Sequence, residues 1–148
     1  MLSLHLANHQ HHEAVPVTWL RRVGRCAVRH LKIAKPGCIA VSFINGPSMR
    51  RLHGRFLGTT EPTDVLSFRY DDTAGAHQKR ARSRIVGEIL IAPSAARWYA
   101  ARHRLSYRQE LARYLVHGLL HWLGHDDRTR SQRRTMRALE DRLLAECA

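Results

Sequence analysis

Cysteine is scarce in this chain of 148 residues, and the placement of the few cysteines argues against two common kinds of site. The three cysteines, Cys26, Cys38 and Cys147, are odd in number and far apart in the sequence. A small disulfide framework needs more cysteines, and a zinc site built on cysteine pairs needs closer spacing. The sequence therefore predicts that all three are thiols with a role in packing.

Long hydrophobic runs are also missing. None approaches the roughly 20 apolar residues that a membrane-spanning helix needs. Residues Met1 to Glu13 include four histidines and lack the basic start and apolar stretch of a secretory signal. A length of 148 residues is that of one ordinary domain. We therefore expect one cytoplasmic domain, residues 1–148, with no membrane association.

Acidic residues are few: 12 Asp and Glu against 25 Lys and Arg give a formal net charge of +13. An excess of this size in a small domain attracts polyanions such as nucleic acid. Only three of the basic residues are lysine, so genome composition is an alternative source of part of the arginine excess. That alternative does not account for the scarcity of acids. The charge balance therefore favours a polyanionic partner.

Hydrophobic periodicity and capping residues predict the order of the secondary structure. Alternating or short apolar runs predict strands at Leu2–Leu6, Cys38–Ile44, Asp64–Tyr70 and Ile85–Ala92. Helical spacing predicts helices that begin after Thr18, Ser48, Ser94, Ser106 and Ser131. In the last of these helices, Met136, Leu139 and Leu143 form the expected packing stripe.

The strongest chemical signal lies between His117 and Asp127. His117 and His121 are four residues apart in a helical segment, so both imidazoles project from one face and can bind one cation. Gly124 allows the chain to leave the helix and turn back, which brings a third ligand within reach. The candidates for that ligand are Asp127, His125 and Asp126.

Two histidines at this spacing can also be ordinary core or surface residues. Gly118 argues against that alternative, because glycine inside a helix costs about 1 kcal/mol relative to alanine. Its presence indicates that another group approaches the backbone beside His117 closely. Imidazoles with a carboxylate suit zinc better than calcium or magnesium. We expect one Zn²⁺ per chain, with an open coordination position for water.

The segment His-Gly-Leu-Leu-His-Trp-Leu-Gly-His-Asp-Asp, residues 117–127, resembles the HGxLHLxGxDH signature of the YbeY family of bacterial endoribonucleases. That family is implicated in ribosomal RNA maturation. Residues 61–68 resemble its PTDVLSF strand, residues 87–91 its G(D/E)I strand, and residues 52–58 the preceding helix. Several motifs in the family's order are far more specific than one.

The resemblance implies an α+β fold, with a small mixed sheet of about four strands packed with about five helices and the metal-binding helix at the centre. It implies a metal-dependent endoribonuclease that cleaves single-stranded RNA. The implied roles are ribosomal RNA processing, including maturation of the small-subunit rRNA 3′ end, and ribosome quality control. The implied partners are ribosomal RNA and the small ribosomal subunit.

The sequence departs from the family pattern at the third metal ligand. The family signature usually closes with a histidine, whereas the matching residue here is Asp127, and His125 occupies a place that is often a non-ligand. We predict Asp127 as the third ligand, with His125 as the alternative. An anionic ligand lowers the net charge of the site and makes bound water less acidic, which predicts weaker activity or activity at higher pH.

Other roles follow from the matched motifs. Where the family has Asn and often Arg in the helix before PTDVLSF, this chain has His53 and Leu57, so we predict that Arg55 takes the catalytic arginine's place. Hydrogen bonds to ligands or water are predicted for Thr63, Ser67 and Glu88. Strand capping and ordinary strand positions are the alternative for these three.

Two other functions compete with RNA cleavage. A zinc protease shares the histidine spacing, but the His-Glu-x-x-His type places a general base directly after the first ligand, where this chain has Gly118. A non-catalytic ribosome-associated protein with a structural metal is the second alternative. Four protein ligands, with His125 as the fourth, would indicate that structural role, whereas an open position indicates an enzyme.

Overall fold

The computed structural model describes residues 1–57, 65–70 and 84–148. Within these ranges the chain forms four strands and five helices. In chain order they are β1 (Ser3–Asn8), α1 (Val17–His30), β2 (Cys38–Phe43), α2 (Gly46–Leu57), β3 (Val65–Arg69), β4 (Ile85–Ile91), α3 (Pro93–His103), α4 (Tyr107–Trp122) and α5 (Arg130–Cys147).

The strands form one mixed sheet in the order β1-β2-β4-β3. β1 pairs with β2 and β2 with β4 in parallel, whereas β3 runs antiparallel to β4 at the edge of the sheet. The parallel pairs require crossover connections, which the helices supply. The predicted α+β fold is therefore confirmed.

Helix α4 is the centre of the core. Leu111, Leu115 and Leu119 on this helix are fully buried, and α4 contacts β3, β4, α1, α3 and α5. A smaller apolar cluster on the other face of the sheet places Met49 of α2 against Leu66 of β3. No helix in the described ranges is both long and apolar enough to span a membrane.

Two of the predicted helix starts can be checked against capping hydrogen bonds. Ser106 caps α4 as predicted, because its hydroxyl accepts a hydrogen bond from the Gln109 backbone N–H. For α5 the predicted cap, Ser131, is wrong. Thr129 caps this helix in a reciprocal pair of hydrogen bonds with Gln132, which satisfies two backbone N–H groups at once.

The starts of α1, α2 and α3 also precede the predicted caps. Pro16 stands at the N-cap of α1, and Pro93 is the first residue of α3 after Ala92. The fixed φ of proline suits the first turn of a helix, where its missing N–H costs nothing. In α2 the Asn45 side chain accepts a hydrogen bond from the Ser48 N–H. Asn45 therefore caps this helix in place of the predicted Ser48.

The prediction for the cysteines is wrong for two of the three. Cys26 of α1 and Cys147 of α5 form a disulfide, with Cα atoms 5.6 Å apart. The two residues are 121 positions apart in sequence, but α1 and α5 pack side by side, which the spacing alone does not reveal. Cys38 is a free, buried thiol, as predicted.

Reduction of the Cys26–Cys147 disulfide is expected to destabilise the fold. The bond joins residues 121 positions apart, and the chain-entropy model gives about 4–5 kcal/mol for a loop of this order. Urea unfolding with and without a reductant measures the difference. The Cys26→Ser variant is the control and should unfold at the same urea concentration in both conditions. Equal midpoints for the wild-type protein would contradict the expected contribution.

Candidate metal centre

His117 and His121 lie one turn apart on the same face of α4. Their Nε2 atoms are 3.0 Å apart, and their ring planes meet at 77°. The Asp127 Oδ2 atom lies 3.3 Å from the His121 Nε2 atom and 3.6 Å from the His117 Nε2 atom. One ligand atom from each residue lies within 4.8 Å of the other two. The structure thus brings the three predicted ligands together.

The turn after α4 places Asp127 beside the two histidines. Gly124 has a φ of 104°, a conformation that glycine adopts without a steric penalty. The Gly124 N–H donates to the His121 carbonyl, and the His125 N–H donates to the Leu120 carbonyl. This glycine-based cap satisfies two end carbonyls of α4 and reverses the chain.

The three residues form a ligand set of the kind found in catalytic zinc sites. Two imidazoles and one carboxylate are suitable zinc ligands, and three protein ligands leave one of four positions open. The histidine side chains are 28% exposed and Asp127 is 41% exposed, so water reaches the cluster. In the described part of the chain, no fourth potential ligand joins this group, and the exposed His125 lies outside it.

Glu140 of α5 is part of this site, although its position in the sequence does not place it near the two histidines. Its Oε2 atom lies 2.8 Å from the His117 Nδ1 atom, and its side chain is 5% exposed. A carboxylate at Nδ1 favours the tautomer that carries its proton there, which leaves Nε2 free to bind a metal. The sequence does contain one indication that Glu140 is buried and has a partner. It is an acidic residue beside the apolar packing stripe of Met136 and Leu143.

Arg113 of α4 holds the Glu140 carboxylate. Its Nη1 atom donates to Glu140 Oε1 at 3.1 Å, and its Nη2 atom donates to Asp141 Oδ1 at 2.8 Å. Burial alone would lower the pKa of the Arg113 guanidinium, but the hydrogen bonds to Asp141 and Glu140 outweigh burial and raise it. Arg113 therefore stays charged and fixes the carboxylate that contacts His117.

Gly118 allows β3 and β4 to approach the backbone of α4. A Cβ atom at this position would lie 2.6 Å from the Ile89 Cγ2 atom and 3.1 Å from the Val65 Cγ1 atom. The Ser67 hydroxyl also donates to the Gly118 carbonyl at 3.0 Å. The predicted close approach beside His117 is therefore confirmed, and Ser67 acts on the helix that carries the ligands.

A cavity of about 790 Å³ opens beside the cluster. It lies between α4, the edge strand β3, α3, α5 and the turn that carries Asp127. Its arginines are Arg113, Arg128, Arg133 and Arg137, and Tyr99 of α3 contributes an aromatic ring. A cavity with this lining suits a ligand that has both anionic groups and planar rings.

Three predicted residues are not among those that the structure places at this cavity. Successive side chains of a strand point to opposite faces of the sheet. Glu88 therefore points to the face away from that of its neighbour Ile89. Burial, together with a hydrogen bond to Glu88 and the charge of Glu88, raises the pKa of Tyr70 to about 12. Arg55 is exposed on α2 and does not line the cavity in the described part of the chain. Thr63 lies outside the described residues.

A family model and several known proteins of similar sequence share one name. Residues 5–148 match the model of the family described as Endoribonuclease YbeY. A protein of that name from Micrococcus luteus is 31% identical over 132 residues, which cover 89% of this chain and 84% of the relative. Another, from Bifidobacterium animalis subsp. lactis, is 27% identical over 143 residues, 97% of this chain and 78% of the relative.

A solution structure of a Thermotoga maritima protein has a similar fold. The TM-score is 0.63 at 21% sequence identity, and the match covers 99% of this chain and 88% of that protein. At this identity the likeness supports the fold alone.

Gly118→Ala is expected to destabilise the protein by up to about 2 kcal/mol. Overpacking against Ile89 costs about 1–3 kcal/mol, which the better helix propensity of alanine offsets by about 1 kcal/mol. The free energy of unfolding in urea measures the loss. Ile89→Ala removes the obstructing Cγ2 atom, so Gly118→Ala should cost less in that background. An equal cost in both backgrounds would contradict the proposed contact.

Glu140→Gln is expected to weaken metal binding by about 10- to 100-fold, the usual cost of losing the partner that orients a ligand. Competition with a chromophoric zinc chelator measures the affinity. Asp141→Asn is the matched control, because Asp141 also contacts Arg113 but does not touch His117. Its affinity should stay close to that of the wild type. An unchanged affinity in Glu140→Gln would rule out the orienting role.

Proposed function

This chain belongs to the endoribonuclease YbeY family, and on that premise we propose that it is a metal-dependent endoribonuclease that cleaves single-stranded RNA. The observation that carries the proposal is the convergence of His117, His121 and Asp127 beside an open cavity. The donor set of two imidazoles and one carboxylate favours Zn²⁺ as the ion. When bound, the ion would supply Lewis-acid activation of a phosphodiester bond and of the attacking water.

The protein's own contribution is to orient the ligands. Glu140 holds the Nδ1 side of His117, so that the Nε2 atom faces Asp127 and His121. Arg113 in turn fixes Glu140 from the same helix that carries His117. This arrangement keeps the geometry of the centre independent of the substrate.

Arginines on the cavity wall are suited to hold the RNA backbone. Arg128, Arg133 and Arg137 are exposed and come from the turn and first half of α5. The Arg133 Nη1 atom donates to the carbonyls of Asp127 and Arg128, which ties this cation to the metal-site turn. Guanidinium groups bind phosphates in a bidentate manner and offset the charge that develops during cleavage.

The preference for single strands fits an aromatic side chain in the cavity lining. Tyr99 lines the cavity, and its ring centroid lies 4.1 Å from that of His103. Proteins read unpaired bases by stacking them on aromatic rings, whereas the bases of a duplex are already stacked. We therefore assign Tyr99 to contact a base next to the cleaved bond.

We further propose that the substrate is ribosomal RNA, processed at the 3′ end of the small-subunit rRNA, and that the protein acts in the cytoplasm in ribosome maturation and quality control. The net charge of +13 supports a large polyanionic partner. The exposed arginines Arg130, Arg134 and Arg142 of α5 extend the basic surface beyond the cavity.

The two competing functions have less support. A protease of the His-Glu-x-x-His type needs a general base at position 118, where Gly118 instead lies against Ile89 and Val65. A purely structural metal would call for a fourth protein ligand, and the exposed His125 does not join the other three. Both observations favour a catalytic centre.

Cleavage of a single-stranded RNA by the zinc-loaded protein tests the proposal. His117→Ala and Asp127→Ala should each lower the rate by more than the roughly 10- to 100-fold typical of losing an orienting partner, because each removes a ligand itself. His125→Ala is the matched control and should cleave like the wild type. A duplex of the same sequence should be a poor substrate. Equal rates for the wild type and His117→Ala would exclude this centre as the active site.

A further inference from the structure

We propose that Cys26, His30 and Cys147 form a second metal site, which binds a divalent cation of the zinc class once the Cys26–Cys147 disulfide is reduced. One ligand atom from each residue lies within 4.8 Å of the other two. Two thiolates and one imidazole are a favourable donor set for Zn²⁺. None of the three residues lines the cavity beside His117, so this site is distinct from the proposed active centre.

The backbone places these three donors in a suitable arrangement. Cys26 and His30 are four residues apart on α1, so their side chains lie on the same face, one turn from each other. Cys147 is the last residue of α5 and approaches from the neighbouring helix. This combination of two ligands on one helix and a third from another element also builds the centre at His117.

Core packing keeps the two helices together without the disulfide. Ala27 and Val28, which follow Cys26, are buried, and so are Leu143 and Leu144 of α5. All four belong to the same hydrophobic cluster. The thiols therefore stay near each other when the bond is broken, and a cation can bind without a large rearrangement.

The electrostatics of the helix ends favour a cation. α1 ends at His30 and α5 ends at Cys147, so two helix C-termini meet at this cluster. Each C-terminus carries a partial negative charge on its last carbonyl groups. Two thiolates would neutralise the divalent charge. Arg29 lies directly before His30 in the sequence, and its positive charge opposes the cation.

A cellular thiol can reduce the disulfide and so free both cysteines to bind the cation. One dithiol, or two molecules of a glutathione-class thiol, transfer two electrons and two protons to the Cys26–Cys147 bond, which breaks to give two thiols as the reductant becomes a disulfide. Each thiol loses a proton to solvent when the cation binds, and His30 binds through a neutral nitrogen. In the proposed cytoplasmic setting thiols are kept reduced, so the cation would replace the disulfide as the link between α1 and α5.

Metal content measured in two redox states tests the site. The full-length protein is stripped with a chelator, prepared oxidised or reduced with a phosphine, loaded with Zn²⁺ and passed through a desalting column. The reduced protein should retain one more zinc per chain than the oxidised protein. Co²⁺ in place of Zn²⁺ should give a thiolate-to-metal absorption band in the reduced protein only.

Matched variants separate the two sites. Cys26→Ser and His30→Ala should lose the additional zinc, whereas Cys38→Ser should keep it. His117→Ala should lose the zinc of the active centre and still show the redox-dependent one. His30 is exposed and outside the disulfide, so His30→Ala leaves the oxidised fold unchanged. Equal zinc content in both redox states, or an additional zinc that survives in Cys26→Ser, would overturn the proposal.

Discussion

The close contact between the backbone of α4 and strands β3 and β4 is the constraint on which the metal centre depends. Gly118 permits this contact, since any side chain there would collide with Ile89. The Ser67 hydroxyl then donates to the Gly118 carbonyl, the Trp122 indole donates to the Val86 carbonyl at 3.0 Å, and Arg69 donates to the Trp122 carbonyl at 3.3 Å. These hydrogen bonds fix α4 to the sheet. The residue beside His117 thus determines where both histidines lie.

The parts of the site that could be predicted are those that local geometry determines. His117, His121 and Asp127 lie within eleven consecutive positions, and a helical repeat followed by a glycine turn brings them together. Glu140 and Arg113 were missed, because their contact depends on how α5 packs against α4. The same reason explains the missed disulfide, since Cys26 and Cys147 meet only through the packing of α1 on α5.

The fold shows a similar division between local and long-range determinants. Every predicted strand and helix is present, because apolar periodicity reflects which face of each element is buried. Helix starts were less predictable, because several polar residues compete for each cap and only backbone geometry selects among them. At α5, for example, Thr129 and Ser131 are both good caps, but only Thr129 has a glutamine three residues later.

The turn after α4 has a consequence for how a metal ion is bound. Its shape is maintained by main-chain hydrogen bonds at Gly124 and His125 and by the Arg133 side chain, none of which uses a ligand atom of the cluster. The ligands are therefore preorganised, and little conformational entropy is lost when an ion arrives. The affinity for an ion would then come mainly from the donor atoms themselves.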